Sequence, residues 1–204
     1  MSDVLPAALT DWFSQKGWQP HAHQLHVMEA RARPACLLIA PTGCGKTLAG
    51  FLPSLADLAQ RPHTGLHTLY VSPLKALAAD IKRNLRGPAE EMGLDIRIED
   101  RTGDTGATQK RRQRVNPPQI LLTTPESLAL LTSYSDAERL FSGLKRVVID
   151  EVHALSESKR GDQLMHSLAA LQRICPDMQR IGLSDTVQIA EQMACFMTCH
   201  LKRW

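Results

Sequence analysis

The sequence predicts a single α/β domain in which a mostly parallel sheet carries helices on both faces. Three observations lead there. Six short apolar runs recur along 204 residues, with helical stretches between most of them. Parallel neighbours need crossover connections, and this alternation supplies them. The polar and glycine-rich strings fall directly after apolar runs, at the carboxyl ends of the strands, where open sheets of this kind bind ligands. The length suits one domain with a sizeable core and is short for two.

The elements follow in order. Ala35-Cys36-Leu37-Leu38-Ile39-Ala40 is a continuous apolar run, read as a strand buried on both faces. A helix follows from Lys46 to about Gln60. His67 to Val71 is the second strand, stopped by Ser72-Pro73. Lys75 to about Glu91 is helical, with Leu77, Ile81 and Leu85 spaced four apart on one face. Asp95 to Glu99 is the third strand and Gln119 to Thr123 the fourth. Pro125 then opens a helix, a favoured place for proline. Arg146 to Asp150 is the fifth strand, a helix covers about Arg160 to Ile174, and Arg180 to Leu183 is the sixth strand. Residues 101–118 hold two Gly, two Pro and five basic residues with few large apolar ones, and are expected to be mobile. No internal repeat or low-complexity linker interrupts the chain.

Composition narrows the class. The 43% hydrophobic fraction is ordinary for a soluble globular protein, while 4% aromatic residues leave the core to Leu, Ile, Val, Ala and Met. The net charge of +3 permits a nucleic-acid partner without demanding one. Five cysteines, an odd number without C-x-x-C spacing, read as reduced thiols of a cytoplasmic protein. Cys195 and Cys199 beside His200 match no zinc pattern and read as a helix face. No signal peptide is recognisable, and no apolar run reaches the roughly 18 residues a membrane span needs.

Two strings carry chemistry. The first is Ala40-Pro41-Thr42-Gly43-Cys44-Gly45-Lys46-Thr47, between the first strand and its helix. It fits the P-loop pattern except that Ala40 stands where the strict pattern has glycine. Glycines let the backbone turn its N–H groups inward around a phosphate. Lys46 sets a cation against the β- and γ-phosphates of ATP, Thr47 offers a hydroxyl to Mg²⁺, and the helix adds its positive end. The second string is Val147-Val148-Ile149-Asp150-Glu151-Val152-His153. An apolar strand delivers two adjacent carboxylates at its end. Asp150 suits Mg²⁺, and Glu151 suits orientation or deprotonation of an attacking water. Asp-Glu after an apolar run is weak evidence alone. With the P-loop upstream, the two strings supply complementary parts of one reaction.

At these residues the sequence resembles the DExH class of superfamily-two helicases. Ser72-Pro73-Leu74-Lys75-Ala76-Leu77 looks like that group's motif Ia, and Arg101-Thr102-Gly103-Asp104-Thr105 like motif Ib. Thr123-Thr124-Pro125-Glu126-Ser127-Leu128 looks like the next nucleic-acid motif, and Gln24 sits where the adenine-reading glutamine would be. The wording is most similar to the large helicase-related family and to ligase-associated DNA damage response helicases, with Lys159-Arg160-Gly161-Asp162 adding to the likeness. The resemblance implies a RecA-like ATP-binding domain over 1–187, a divergent tail over 188–204, and no second RecA-like domain. It implies ATP and Mg²⁺ as ligands, His153 as the coupling residue of the nucleotide site, and a single-stranded or partly duplex nucleic acid, DNA favoured, as partner. Ser72, Lys75, Thr102, Gly103, Thr123 and Thr124 would then contact the sugar-phosphate backbone without reading bases. Thr124 also fits a plain helix N-cap. Lys110, Arg111, Arg112 and Arg114 fit either a nucleic-acid track or a solvated helix face.

Two departures from the family stand out. Its Ser-Ala-Thr motif is here Ser184-Asp185-Thr186, which sets a carboxylate near the inferred phosphate site. It repels phosphate or competes for Mg²⁺ if it points in, and does nothing if it points out. The family's second RecA-like domain, which brings an arginine finger worth about 10³–10⁵ in rate, would have to act in trans. The sequence therefore reads as the ATP- and nucleic-acid-binding half of a repair-type DNA helicase. The alternative is a binding module with little turnover. A small-molecule P-loop kinase would need a lid and an acceptor site, for which the sequence offers no candidate.

Overall fold

The computed structural model describes residues 4–156, 158–186 and 190–198, with the backbone alone for 75–80 and 83. Val187, Cys199, His200 and the side chains of Lys75 and Leu77 therefore lie outside the described residues. Six strands form one parallel sheet: β1 (Ala35–Ile39), β2 (Thr68–Val71), β3 (Ile98–Arg101), β4 (Ile120–Thr123), β5 (Arg146–Ile149) and β6 (Gln179–Ser184). They lie side by side in the order β1-β6-β5-β2-β4-β3. The expected α/β architecture, a parallel sheet with helices on both faces, is the observed one.

The helices are α1 (Ala7–Gln15), α2 (Ala22–Glu29), α3 (Lys46–Gln60), α4 (Lys75–Glu91), α5 (Ala107–Val115), α6 (Pro125–Ser133), α7 (Ala137–Phe141), α8 (Val152–Ser156), α9 (Lys159–Ile174) and α10 (Ala190–Thr198). Alternate strand residues face opposite layers, so a strand covered on both sides must be apolar throughout. On one side Leu69, Val71, Leu121, Val147 and Ile149 meet Leu128 of α6 and Leu164, Leu168 and Leu171 of α9. On the other, Tyr70, Ile120, Leu122, Val148, Ile181 and Leu183 meet Ala49, Phe51 and Leu58 of α3 and Ile81 and Leu85 of α4. A smaller cluster seats Leu9, Trp12 and Phe13 of α1 against Leu52 and Leu55 of α3.

The stretch read as a divergent tail contributes α10. Met193 and Met197 are buried in the first cluster, and the fully buried Arg180 of β6 donates to Met197 O at 3.3 Å and to Gln172 Oε1 at 3.0 Å.

Two expectations need correction. The third strand begins at Ile98 rather than Asp95. The segment expected to be mobile contains α5, a regular helix of nine residues. Polar contacts anchor it where apolar ones are scarce: Arg112 Nη2 meets Glu99 Oε2 at 2.6 Å, buried Gln113 donates to Glu99 Oε2 at 3.0 Å, and Arg114 Nη2 meets Asp136 Oδ1 at 2.7 Å. A helix without an apolar stripe leaves no period in the sequence to detect.

Candidate functional site

The strand order splits the carboxyl edge of the sheet into two halves. One half, β1-β6-β5, carries the P-loop, Ser184-Asp185 and Asp150-Glu151. The other, β2-β4-β3, carries Ser72, Thr123-Thr124 and Thr102-Gly103.

In the P-loop, Gly43 and Gly45 adopt left-handed backbone angles, φ +80° and +79°. Only glycine takes that conformation freely, and it wraps the loop onto the start of α3. Gly45 is also the N-cap of α3, and a Cβ there would lie 3.0 Å from Gln24 Nε2. Gln24 is buried, and its Oε1 accepts from His21 N at 2.9 Å, so α2 holds the carboxamide against the loop. Lys46 Nζ donates to Ala40 O at 2.6 Å, and Cys44 Sγ to Pro41 O at 2.8 Å. A cleft of about 390 Å³ is lined by Thr42, Gly43, Gly45, Lys46, Thr47, Asp150 and Glu151, together with Ile81, Asn84 and Leu85 of α4.

Asp150 is buried, and two donors fix it. Its Oδ1 accepts from Glu151 N at 3.0 Å, and its Oδ2 accepts from the Tyr70 hydroxyl. Burial and then the Asp150 charge push the Tyr70 phenol far above its ordinary range, so it remains a donor. Tyr70 was not foreseen. Its signal is a polar-tipped ring inside an apolar strand, which must find a partner when buried. Tyr70 pairs in register with Val148, and that sets its hydroxyl below the end of β5.

Glu151 is the described non-glycine residue with a left-handed backbone, φ +51°. This conformation costs roughly 1–2 kcal/mol. The residue sits between β5 and α8 and lines the cleft. Burial first, then the charge of Asp150, raises the carboxyl above its usual range; Asp185 adds to this, and His153 and Lys46 oppose it. A carboxylate tuned upward is a better proton acceptor near neutral pH. His153 stands 3.3 Å from Glu151 Oε2 through Nε2, and 3.1 Å from Ser184 Oγ through Nδ1. Asp185, the departure from the family motif, turns to the same imidazole, 3.4 Å from Nδ1. The fit to a divalent cation rests on the donor set: the Thr47 hydroxyl and the Asp150 carboxylate are hard oxygen ligands sharing one cleft.

On the other half, registers pair Val71 with Thr123 and Arg101 with Thr123, so three strand ends stand level. The residues after them form a continuous ledge. Several of its hydroxyls are already engaged. Thr123 Oγ1 donates to Arg101 O at 2.8 Å, Thr124 Oγ1 caps α6 by accepting from Ser127 N at 3.4 Å, and Ser72 Oγ accepts from Leu74 N at 3.3 Å. Thr102 Oγ1 accepts from Asp104 N at 3.3 Å, and Gly103 O accepts from Lys110 Nζ at 2.9 Å. The side chains of Thr123 and Thr124 thus shape the strand end and the helix N-terminus. Backbone groups and the positive end of α6 are what they leave for a phosphate.

Comparison with known proteins supplies independent findings. The DEAD/DEAH box helicase family profile matches residues 21–194. The chain is 44% identical, over 94% of its length, to the Lhr helicase/probable uracil glycosylase of Mycolicibacterium smegmatis, of which it covers 14%. It is 40% identical over 96% of its length to the ATP-dependent helicase Lhr-Core protein 2 of Thermococcus barophilus, covering 24% of that protein. Among solved structures, Mycobacterium smegmatis helicase Lhr bound to ssDNA and AMP-PNP superposes with a TM-score of 0.87 at 40% identity, over 95% of this chain and 26% of that one. The chain therefore spans a minor part of the relatives it matches. Among the described residues, no helix is long and apolar enough to cross a membrane.

Proposed function

The chain belongs to the DEAD/DEAH box helicase family, and from that premise we propose that it is the MgATP-binding, nucleic-acid-binding half of a DNA helicase of repair type. One observation carries the reading. Two pairs distant in sequence, Lys46-Thr47 and Asp150-Glu151, line a single cleft beside the left-handed turns at Gly43 and Gly45.

Each residue has a part in it. The backbone from Thr42 to Thr47, Cys44 included, cradles the phosphates, and Lys46 leaves Ala40 O to neutralise them. Thr47 and Asp150 hold Mg²⁺, which supplies charge neutralisation at the phosphates when bound. Glu151 accepts the proton of the attacking water, and Gln24 reads the adenine beside Gly45. His153 couples the site to Ser184. Ser72, Lys75, Thr102, Gly103, Thr123 and Thr124 form the ledge for one strand's sugar-phosphate backbone. The relative whose structure holds ssDNA and AMP-PNP supports both halves of this reading. We place the chain in the cytoplasm, in keeping with the free thiols of Cys36, Cys44, Cys175 and Cys195.

These residues on their own hydrolyse ATP slowly in this reading, and a second RecA-like domain speeds it. Glu151→Gln tests the assignment. MgATP binding is retained and DNA-stimulated hydrolysis is lost; turnover equal to the parent's moves the chemistry elsewhere.

A further inference from the structure

A second cavity, of about 480 Å³, is lined by the end of α3 and by the residues at which β2, β5 and β6 begin. It therefore lies at the edge of the sheet opposite the nucleotide cleft. Strand β5 has four residues, and at about 3.3 Å per residue the two edges stand roughly 13 Å apart. No residue of the nucleotide cleft or of the Ser72 to Thr124 ledge lines this cavity.

Its charge is strongly one-sided. Arg146 is buried and held in place: Nε donates to Gln179 Oε1 at 2.8 Å, and Nη1 donates to Ser54 Oγ and to Asp57 Oδ2, both at 3.1 Å. These bonds leave Nη2 without a hydrogen-bond partner among the described residues. Exposed Arg31, Arg61 and Lys145 add three cations to the lining, and Asp57 and Asp177 are its carboxylates. Four cations less two carboxylates leave +2, with both lining histidines neutral. The crowding reaches the interior. Burial lowers the Arg146 guanidinium from its ordinary range; Asp57 opposes this and Arg31 adds to it. Burial, then the Arg146 charge, keeps His67 neutral.

The geometry points to this cavity as a binding site for a phosphate-bearing anion, supplied as a free phosphate compound or as a phosphodiester of nucleic acid. Like charges gathered around one cavity repel, and an anion among them turns that repulsion into attraction. The cations come from separate elements: Arg31 from the turn after α2, Arg61 from the end of α3, and Lys145 and Arg146 from the start of β5. A tetrahedral phosphate presents oxygens in several directions and suits such a ring, whereas a planar carboxylate suits one guanidinium. Arg146 is already fixed by Gln179, Ser54 and Asp57, so little order is lost when it binds. The volume falls among small-molecule sites, which run from about 300 to 1,000 Å³. The inference does not depend on the proposed nucleotide site.

Long-range ¹H–¹⁵N correlation on ¹⁵N-histidine-labelled chain follows the cavity itself through His67, with His67→Gln identifying the signal. Sodium pyrophosphate and, separately, a short single-stranded DNA are titrated at constant ionic strength. The His67 signal shifts saturably with at least one of them. Pyrophosphate alone identifies a free phosphate compound as the ligand, DNA alone identifies the phosphodiester, and a response to both shows that the phosphate is read whatever carries it. In the double variant Arg31→Ala/Arg61→Ala, which alters exposed side chains and is checked for folding by circular dichroism, the dissociation constant rises about tenfold. The shift persists in Lys46→Ala; its loss there would move the binding to the nucleotide cleft and overturn the inference. No shift with either probe, the same shift from sodium chloride, or equal constants in parent and double variant also overturn it. An acidic peptide that binds while neither phosphate probe does would overturn the choice of ligand.

Discussion

Gly161→Ala is expected to destabilise the fold although it places a better helix former inside a helix. Gly161 is the third residue of α9, where its N–H donates to the Ser158 Oγ cap at 3.2 Å. A Cβ at this position would lie 1.9 Å from Leu155 O and 2.8 Å from Leu155 C. The obstacle is backbone, so no rotamer change relieves it, and α8 and α9 must separate by roughly 1 Å. Overpacking of this kind costs about 1–3 kcal/mol or more, and the gain in helix propensity returns about 1 kcal/mol. A backbone approach of 1.9 Å puts the cost at the upper end, about 3 kcal/mol, and the resulting net loss of about 2 kcal/mol lowers Tm by about 4–8 °C for a domain of this size. Circular dichroism melts of parent and variant measure it. Gly65→Ala is the comparator. Gly65 has φ +87° and nothing within 4 Å of an added Cβ, so it loses only the backbone cost of about 1 kcal/mol. If Gly161→Ala melts with the parent or above it, the close approach of α9 to Leu155 is not a feature of the folded protein.

Three further outcomes are expected. His67 is buried, and burial, then the charge of Arg146, lowers its pKa from 6.5 to about 3. The folded state therefore refuses a proton that the unfolded chain takes up. Stability from this group is complete above pH 6.5 and falls as pH drops toward 3, by up to about 1.4 kcal/mol per pH unit. Urea midpoints of the parent should fall more steeply than those of His67→Gln between pH 7 and 5, and parallel slopes would count against a buried neutral imidazole. Tyr70→Phe strips the Oδ2 donor from buried Asp150 and should cost about 1.5–3 kcal/mol in the same assay; an unmoved midpoint means the bond contributes nothing. Lys75→Ala should weaken ssDNA binding at every sequence and reduce the salt slope by about 1, whereas a sequence-selective loss contradicts a phosphate contact.

What the sequence revealed and what it concealed have physical causes. Strands β2, β4 and β5 were legible because sheets covered on both faces require unbroken apolar runs, and α3 was read from Lys46 to Gln60 as observed. Thr42 to Thr47 and Asp150-Glu151 stood out because phosphate and Mg²⁺ chemistry would restrict residue type at fixed spacing, and the structure brings Lys46, Thr47, Asp150 and Glu151 to one cleft. Helix α5 was hidden because Glu99 and Asp136, distant in sequence, anchor it through charge. Tyr70 was hidden for a related reason: its partner Asp150 comes 80 residues later, brought near only by the pairing of β2 with β5. The direction of Asp185 was also beyond the sequence. Its side chain turns to His153, which no spacing rule specifies. Thr124 shows a different limit, since helix capping and phosphate binding call for the same residue, and the structure gives its hydroxyl to Ser127 N.

The most direct test is titration of MgATP into the purified parent chain and into Lys46→Ala by calorimetry, with circular dichroism confirming that both are folded. The account predicts saturable binding by the parent and an affinity at least about a hundredfold lower in Lys46→Ala, because the cation against the phosphates is gone. Equal affinities, or a folded parent that binds no MgATP, would contradict the assignment of this cleft as the nucleotide site.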